Sequence, residues 1–170
     1  MDTSSILALL GFIALCLGVG GISGYFTATG VKTWYQGLKK PSFNPPNRVF
    51  GPVWTLLYIL MAIAAWRVWS AGADTAWPLT IFLIQLALNF AWSFIFFNAH
   101  RIGLALIDIV LLWLAIAATI AAFASVDTVA AWLLVPYLAW VSFATLLNAR
   151  IWQLNSASAK NFPFTTHSNL

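Results

Sequence analysis

The sequence predicts an all-α membrane protein: a five-helix, up-down transmembrane bundle with a long structured first loop. Three observations carry this expectation. Of the 170 residues, 62% are hydrophobic and 7% charged, whereas a soluble domain carries about 25% charged residues. So few charges cannot cover a water-facing surface, and lipid must be the solvent. The apolar residues form long unbroken runs, unlike the ~10-residue alternating segments of an outer-membrane barrel. Short connections between the later runs force neighbouring helices to be antiparallel.

Taken in order, the runs cover residues 6–26, 52–70, 78–97, 102–123 and 129–150, each near the ~20 residues needed to cross a bilayer. Residues 1–152 read as one transmembrane domain. The opening MDTSS lacks the basic stretch of a signal peptide, so the first run is expected to be a retained span. Pro52 and Pro78 suit the first turn of a helix, where no amide donor is needed. The segment 153–170 is polar, contains Pro163 and reads as a flexible tail. No internal repeat is visible, which argues against a transporter built from two halves.

Between the first two runs lies the segment 34–54, WYQGLKKPSFNPPNRVFGPVW. Connections of that length are usually functional or disordered, and its aromatics and paired prolines oppose disorder. It is expected to be a cap over something held between the helices, stiffened by Pro45 and Pro46. Trp34, Lys39, Lys40 and Arg48 are its candidate lid residues.

Charge sets the orientation. Asp2, Asp74 and Asp127 fall on one side; Lys32, Lys39, Lys40, Arg48, Arg101, Arg150 and Lys160 fall on the other. Basic loops stay cytoplasmic. The N-terminus is therefore expected outside a bacterial cell membrane, with loop one and the C-terminus inside. The net charge of +4 is spread over loops and not gathered in a groove, so no nucleic-acid partner is expected.

Enzyme signatures are sparse. Cys16 is the one cysteine, and His100 and His167 are the two histidines. They build no metal site and hold no cofactor within the bundle. No Ser/His/Asp set and no phosphate-binding glycine loop appear.

Depth and spacing point to a different kind of site. At 1.5 Å per residue, untilted helices place Trp54 ~3 Å from the cytoplasmic face, Trp92 ~8 Å, Asp108 and Ala144 ~9 Å, Asn89 ~12 Å and Trp140 ~15 Å. All fall in the half of the bundle beneath loop one. Tyr137, Trp140, Ala144 and Asn148 share one helix face; Gln85, Asn89, Trp92 and Phe96 share a second; Trp54 and Tyr58 share a third. Large rings beside a small alanine and a few amides suit an apolar pocket. Asn and Gln at that depth suit interhelical glue equally well. Asp108 is the one acid inside a run, about two turns from its helix start, where the dipole favours an anion. A structural or gating role is expected for it. Arg67, ~22 Å deep, is expected to snorkel outward. Gly20 and Gly24 are four apart, as are Ala14 and Gly18, a spacing that serves close helix packing or a homodimer seam.

The runs WYQGLKKPSFNPPNRVFGPVWTLLYILM, QLALNFAW followed by FF, LID, and PYLAWVSFATLLNARIW resemble the translocator protein family. It is also called the tryptophan-rich sensory protein or peripheral benzodiazepine receptor family. The likeness runs from loop one to the end of the fifth run, with the motifs in order. It implies a five-helix membrane protein, usually a homodimer, with no obligatory cofactor. Members bind porphyrins such as protoporphyrin IX and haem, isoquinoline and benzodiazepine drugs and, in animals, cholesterol. Bacterial members look like regulators of tetrapyrrole and stress responses, and some are proposed to degrade porphyrin in light. The family's pocket positions fall on Trp54, Trp92, Trp140, Ala144 and Leu147, with Asn89 and Leu111 nearby. Phe50 and Tyr58 complete the candidate ligand-binding set.

Three positions depart from the animal pattern. Ala149 stands where the sterol motif has a tyrosine, so the sterol contact pattern is broken and cholesterol is doubtful as a partner. Leu104 replaces a pocket tryptophan. Arg48 replaces a frequent aromatic; with Lys39 or Lys40 it suits a propionate through a charge-assisted bond. The expected function is a porphyrin receptor or sensor, with porphyrin-type molecules and membrane lipids as partners. The alternatives are a light-dependent porphyrin-degrading enzyme, with Trp54 and Trp140 as electron donors, and a porphyrin or lipid transporter.

Overall fold

Five long helices carry the chain in the computed structural model, which describes residues 2–72 and 74–159. They are α1 (Thr3–Lys32), α2 (Asn47–Ser70), α3 (Ala76–Ser93), α4 (Ile102–Ala124) and α5 (Thr128–Ala159). A 3-10 turn, Trp34–Gly37, follows α1, and a π turn, Phe94–Asn98, prolongs α3. All five segments are long and apolar enough to cross a membrane, as the sequence predicts. α1 packs on α2 and α3, α2 on α5, α5 on α4, and α4 on α3. The ring order is therefore α1–α2–α5–α4–α3.

Ties at both ends fix the up-down arrangement. At one end the Trp66 indole donates to the Ser5 carbonyl at 3.0 Å, and Arg67 reaches outward to Asp127 at 2.8 Å. At the other end Trp34 stacks on His100, centroids 4.5 Å apart, and Asn155 bonds the Lys39 backbone. Loop one, the 98–101 turn and the end of α5 thus share one end, and the described basic residues other than Arg67 gather there.

Helix boundaries differ from expectation at several ends, α1 among them, which runs to Lys32 and not to residue 26. α2 starts at Asn47, ahead of Pro52, with Pro46 (φ −58°, ψ 137°) at the N-cap position, where its carbonyl accepts from the Val49 amide at 3.0 Å. Pro52 then lies inside the helix and offers no amide to the Arg48 carbonyl. α1 begins at Thr3, with Asp2 as its cap accepting from the Ser5 amide at 2.9 Å. α5 takes in residues 153–159, which begin the segment expected as a flexible tail. Ile151 is buried there and Asn155 engages loop one, so the helix has contacts to sustain it. Residues 160–170 lie outside the described residues.

Between helices in lipid there is no hydrophobic drive; packing and buried hydrogen bonds hold them together. Tyr58 donates to Asn89 Oδ1 at 2.6 Å, Asn89 Nδ2 donates to the Tyr137 hydroxyl at 2.6 Å, and Tyr137 donates to Gln85 Oε1 at 2.9 Å. This relay joins α2, α3 and α5. Trp92 Nε1 donates to Asn148 Oδ1 at 3.1 Å, and Asn148 Nδ2 donates to the Ile102 carbonyl at 3.0 Å, which adds α4. Gln85, Asn89 and Asn148 thus each make hydrogen bonds between helices.

Candidate functional site

α1 touches the bundle along a thin line: its buried positions, Cys16, Ser23 and Gly30, are seven residues apart. Two glycines set its distance from its neighbours. A Cβ on Gly20 would stand 2.5 Å from Tyr58 Cδ2, and one on Gly30 2.8 Å from the Phe97 carbonyl oxygen. These approaches lie ~15 Å apart along the helix, and beside them a cavity of about 530 Å³ opens between α1 and α2. Its α1 wall is low, because a Cβ added at Gly21 or Gly24 meets nothing within 4 Å. Its α2 wall carries the rings of Phe50, Trp54 and Tyr58. Arg48 stands exposed at the loop-one end, with no carboxylate partner among the described residues. The volume falls in the ~300–1,000 Å³ range of small-molecule sites.

The interior aromatic box is present but nearly full. Trp54 lies 6.5 Å from Trp92, 5.8 Å from Tyr58 and 6.2 Å from Tyr137, centroid to centroid. Trp92, Trp140, Ala144 and Leu147 border a void of only about 20 Å³, room for roughly one water. Phe50 borders both spaces and meets Trp140 edge-on at 6.0 Å, so its ring is the partition. Trp140 Nε1 is buried without an acceptor. Its position beside the void leaves one indole donor available if Phe50 moves.

Several expected site residues sit elsewhere. Leu111 is half exposed, on the outward stripe of α4 with Ile107, Val110 and Leu114; its neighbour Leu112 is the buried one. Asn89 spends its amide on Tyr58 and Tyr137 and borders neither space. Asp108 also borders neither; it is buried on α4, with Oδ2 unpartnered. Arg150 donates to Gln153 Oε1 at 3.0 Å.

Loop one is self-braced. Tyr35 donates to Asn44 Oδ1 at 2.6 Å, and burial pushes its hydroxyl up to about 12. Lys40 Nζ donates to the Gln36 and Leu38 carbonyls and lies 4.9 Å over the Tyr35 ring. Lys40 therefore braces the loop and does not face the cavity. Trp34 packs on Phe96 and His100, at the foot of the lid. His100 has φ 57°, a left-handed geometry that His tolerates better than most residues.

An aromatic wall, a glycine wall and a braced proline loop at one end of five spans form a specific combination. The sequence model of the TspO/MBR family matches residues 12–153. The chain belongs to the TspO/MBR family. It is similar to the tryptophan-rich protein TspO of Chlorobaculum tepidum, 46% identical over 153 residues, which cover 88% of this chain and 97% of that protein. It is similar to the human translocator protein, 48% identical over 126 residues, 72% of this chain and 75% of that one. The tryptophan-rich sensory protein of Cereibacter sphaeroides is 45% identical over 122 residues, 72% and 77% of the two chains. With five spans of this family, the chain is an integral multi-pass membrane protein.

In this family member, sequence reasoning missed the α1 wall. Gly21, Gly24, Thr27 and Ala28 line the cavity, whereas their spacing in sequence suits packing or a dimer seam. Gly20 does pack, on Tyr58, inside the chain. The usable signal was the run of small residues mixed with Ser23 and Thr27 on a helix otherwise rich in Leu and Ile.

Proposed function

We propose that the chain is a membrane receptor or sensor for tetrapyrroles, and that a porphyrin lies flat in the α1–α2 cavity. The observation that carries this reading is the pairing of an aromatic wall with a glycine wall across about 530 Å³. A planar macrocycle stacks on Trp54 and Phe50, while Gly21 and Gly24 leave room for its other face. Arg48 at the mouth meets a propionate. The sensory role named for one relative supports extending that role here. On this reading the basic end faces the cytoplasm.

The test is tryptophan quenching by protoporphyrin IX beside its dimethyl ester. Arg48→Ala is expected to weaken the free acid about two- to fivefold, the scale of an exposed ion pair, and to leave the ester unchanged. Equal effects on both ligands would remove the propionate assignment.

A second reading, light-driven porphyrin breakdown, draws on the rings of Tyr58, Tyr137 and Trp92 around Trp54. An excited porphyrin would take an electron from Trp54 and pass it to dioxygen as superoxide; the Trp54 radical cation would then take an electron from the porphyrin, whose radical cation combines with superoxide, so that porphyrin and dioxygen alone are consumed. Under illumination Trp54→Phe slows Soret bleaching more than Trp140→Phe on this reading. Bleaching no faster than for free porphyrin excludes it.

A further inference from the structure

We propose that Ser23 is a specificity-determining residue of the α1–α2 cavity, selecting tetrapyrroles that carry a hydroxyl on the edge opposite their propionates. This rests on the porphyrin reading above and narrows it to a class of ligand. Ser23 is 4% exposed and lines the cavity, yet its Oγ has no hydrogen-bond partner. A hydroxyl on a membrane helix has an easy alternative, which is to donate to the carbonyl one turn back. Thr27, Thr55, Thr80, Thr119, Ser142 and Thr145 all do so, at 2.7 to 2.9 Å. Ser23 does not. A buried hydroxyl left unpaired is costly, so Ser23 is set for a partner that the chain itself does not supply.

The neighbouring hydroxyls define what that partner is. Thr27 and Thr55 also line the cavity, but both give their protons to their own helices. The Tyr58 hydroxyl stands beside Ser23 without bonding it and gives its proton to Asn89 Oδ1 at 2.6 Å. Its oxygen keeps the capacity to accept, and Tyr58 lines the same cavity. Ser23 therefore offers a donor and Tyr58 an acceptor. A ligand hydroxyl satisfies both, accepting from Ser23 and donating to Tyr58. A vinyl or ethyl group satisfies neither. Position along the bundle fits the same class. Gly20 abuts Tyr58, and Ser23 lies three residues nearer loop one, ~5 Å along the axis. Arg48 lies ten residues before Tyr58 on α2, ~15 Å away along the axis. Ser23 thus stands ~10 Å deeper than Arg48. A macrocycle whose propionate meets Arg48 carries its far edge to Ser23.

The test compares haematoporphyrin IX with mesoporphyrin IX by tryptophan quenching of the full chain in detergent. Both carry the same two propionates. On the opposite edge the first has hydroxyethyl groups and the second has ethyl groups, so the pair isolates the hydroxyl. Ser23→Ala is expected to weaken haematoporphyrin IX about fivefold, the scale of a buried neutral hydrogen bond, and to leave mesoporphyrin IX within about twofold. The ratio of the two affinities is the readout, because a general loss of packing would move both ligands together. Equal changes for the two porphyrins, or no change for either, overturn selection by Ser23 and leave the cavity reading standing. Binding of neither porphyrin to the wild-type chain overturns the cavity reading, and the selection falls with it.

Discussion

At the scale of single residues, two glycines four apart do opposite things. Gly20 lets α1 reach Tyr58, whereas Gly24 faces open space beside the cavity. Gly20→Ala is expected to destabilise by about 1–3 kcal/mol through overpacking, read as a lower thermal midpoint. Gly24→Leu is expected to change stability by less than about 0.5 kcal/mol, as substitutions away from tight contacts do. It should still weaken protoporphyrin IX binding by about tenfold, near 1.4 kcal/mol, because the added side chain fills the space opposite Trp54. A Gly24→Leu variant that binds normally places the ligand elsewhere. The sequence shows both glycines and their spacing. It does not show which one meets a ring, because that depends on where Tyr58 turns on α2. Leu111 and Leu112 teach the same lesson: neighbours on α4, one faces out and one in, and the nearest polar residue, Asp108, stands three and four positions before them, a spacing that does not choose between them.

At the scale of elements, spans were legible and their ends were not. Long apolar runs located all five helices. The prolines misled at α2, where Pro52 resembles a first-turn residue although the helix already begins at Asn47, directly after Pro46. The end of α5 was illegible because its last turns are held by a contact 116 residues away in sequence, between Asn155 and Lys39. Charge reads more plainly. Asp127 caps α5 through the Ala130 amide and pairs with Arg67 at the end of α2. The Ala130 amide, then Arg67, hold its carboxyl below the usual carboxylate range. A lowered folded value means the contribution is present above the ordinary carboxylate value and is lost as pH falls through the folded one. Asp127→Asn is therefore expected to lower the thermal midpoint at neutral pH, with the gap to wild type narrowing as pH falls through the lowered carboxyl value. A gap that is constant with pH would mean that Asp127 acts through packing alone.

For the whole molecule, the sequence conveyed the bundle, the gathering of basic loops at one end and the tryptophans from separate helices beneath loop one. It did not convey which space stays open. The rings of Trp54, Trp92 and Phe96 pack on one another, as do those of Trp140 and Phe143, and the open volume appears instead beside α1, where Gly21 and Gly24 leave its wall low. The asymmetric charge also makes a global claim. A Ser42→Cys variant in loop one is expected to resist an impermeant thiol reagent added to intact cells and to react in inverted vesicles; the reverse pattern would invert the topology. The structure of the protein with protoporphyrin IX bound tests the binding site most directly. The macrocycle is expected between Gly24 and Trp54, with a propionate at Arg48. A macrocycle lodged among Trp92, Trp140 and Ala144, with the α1–α2 cavity left empty, would contradict the assignment.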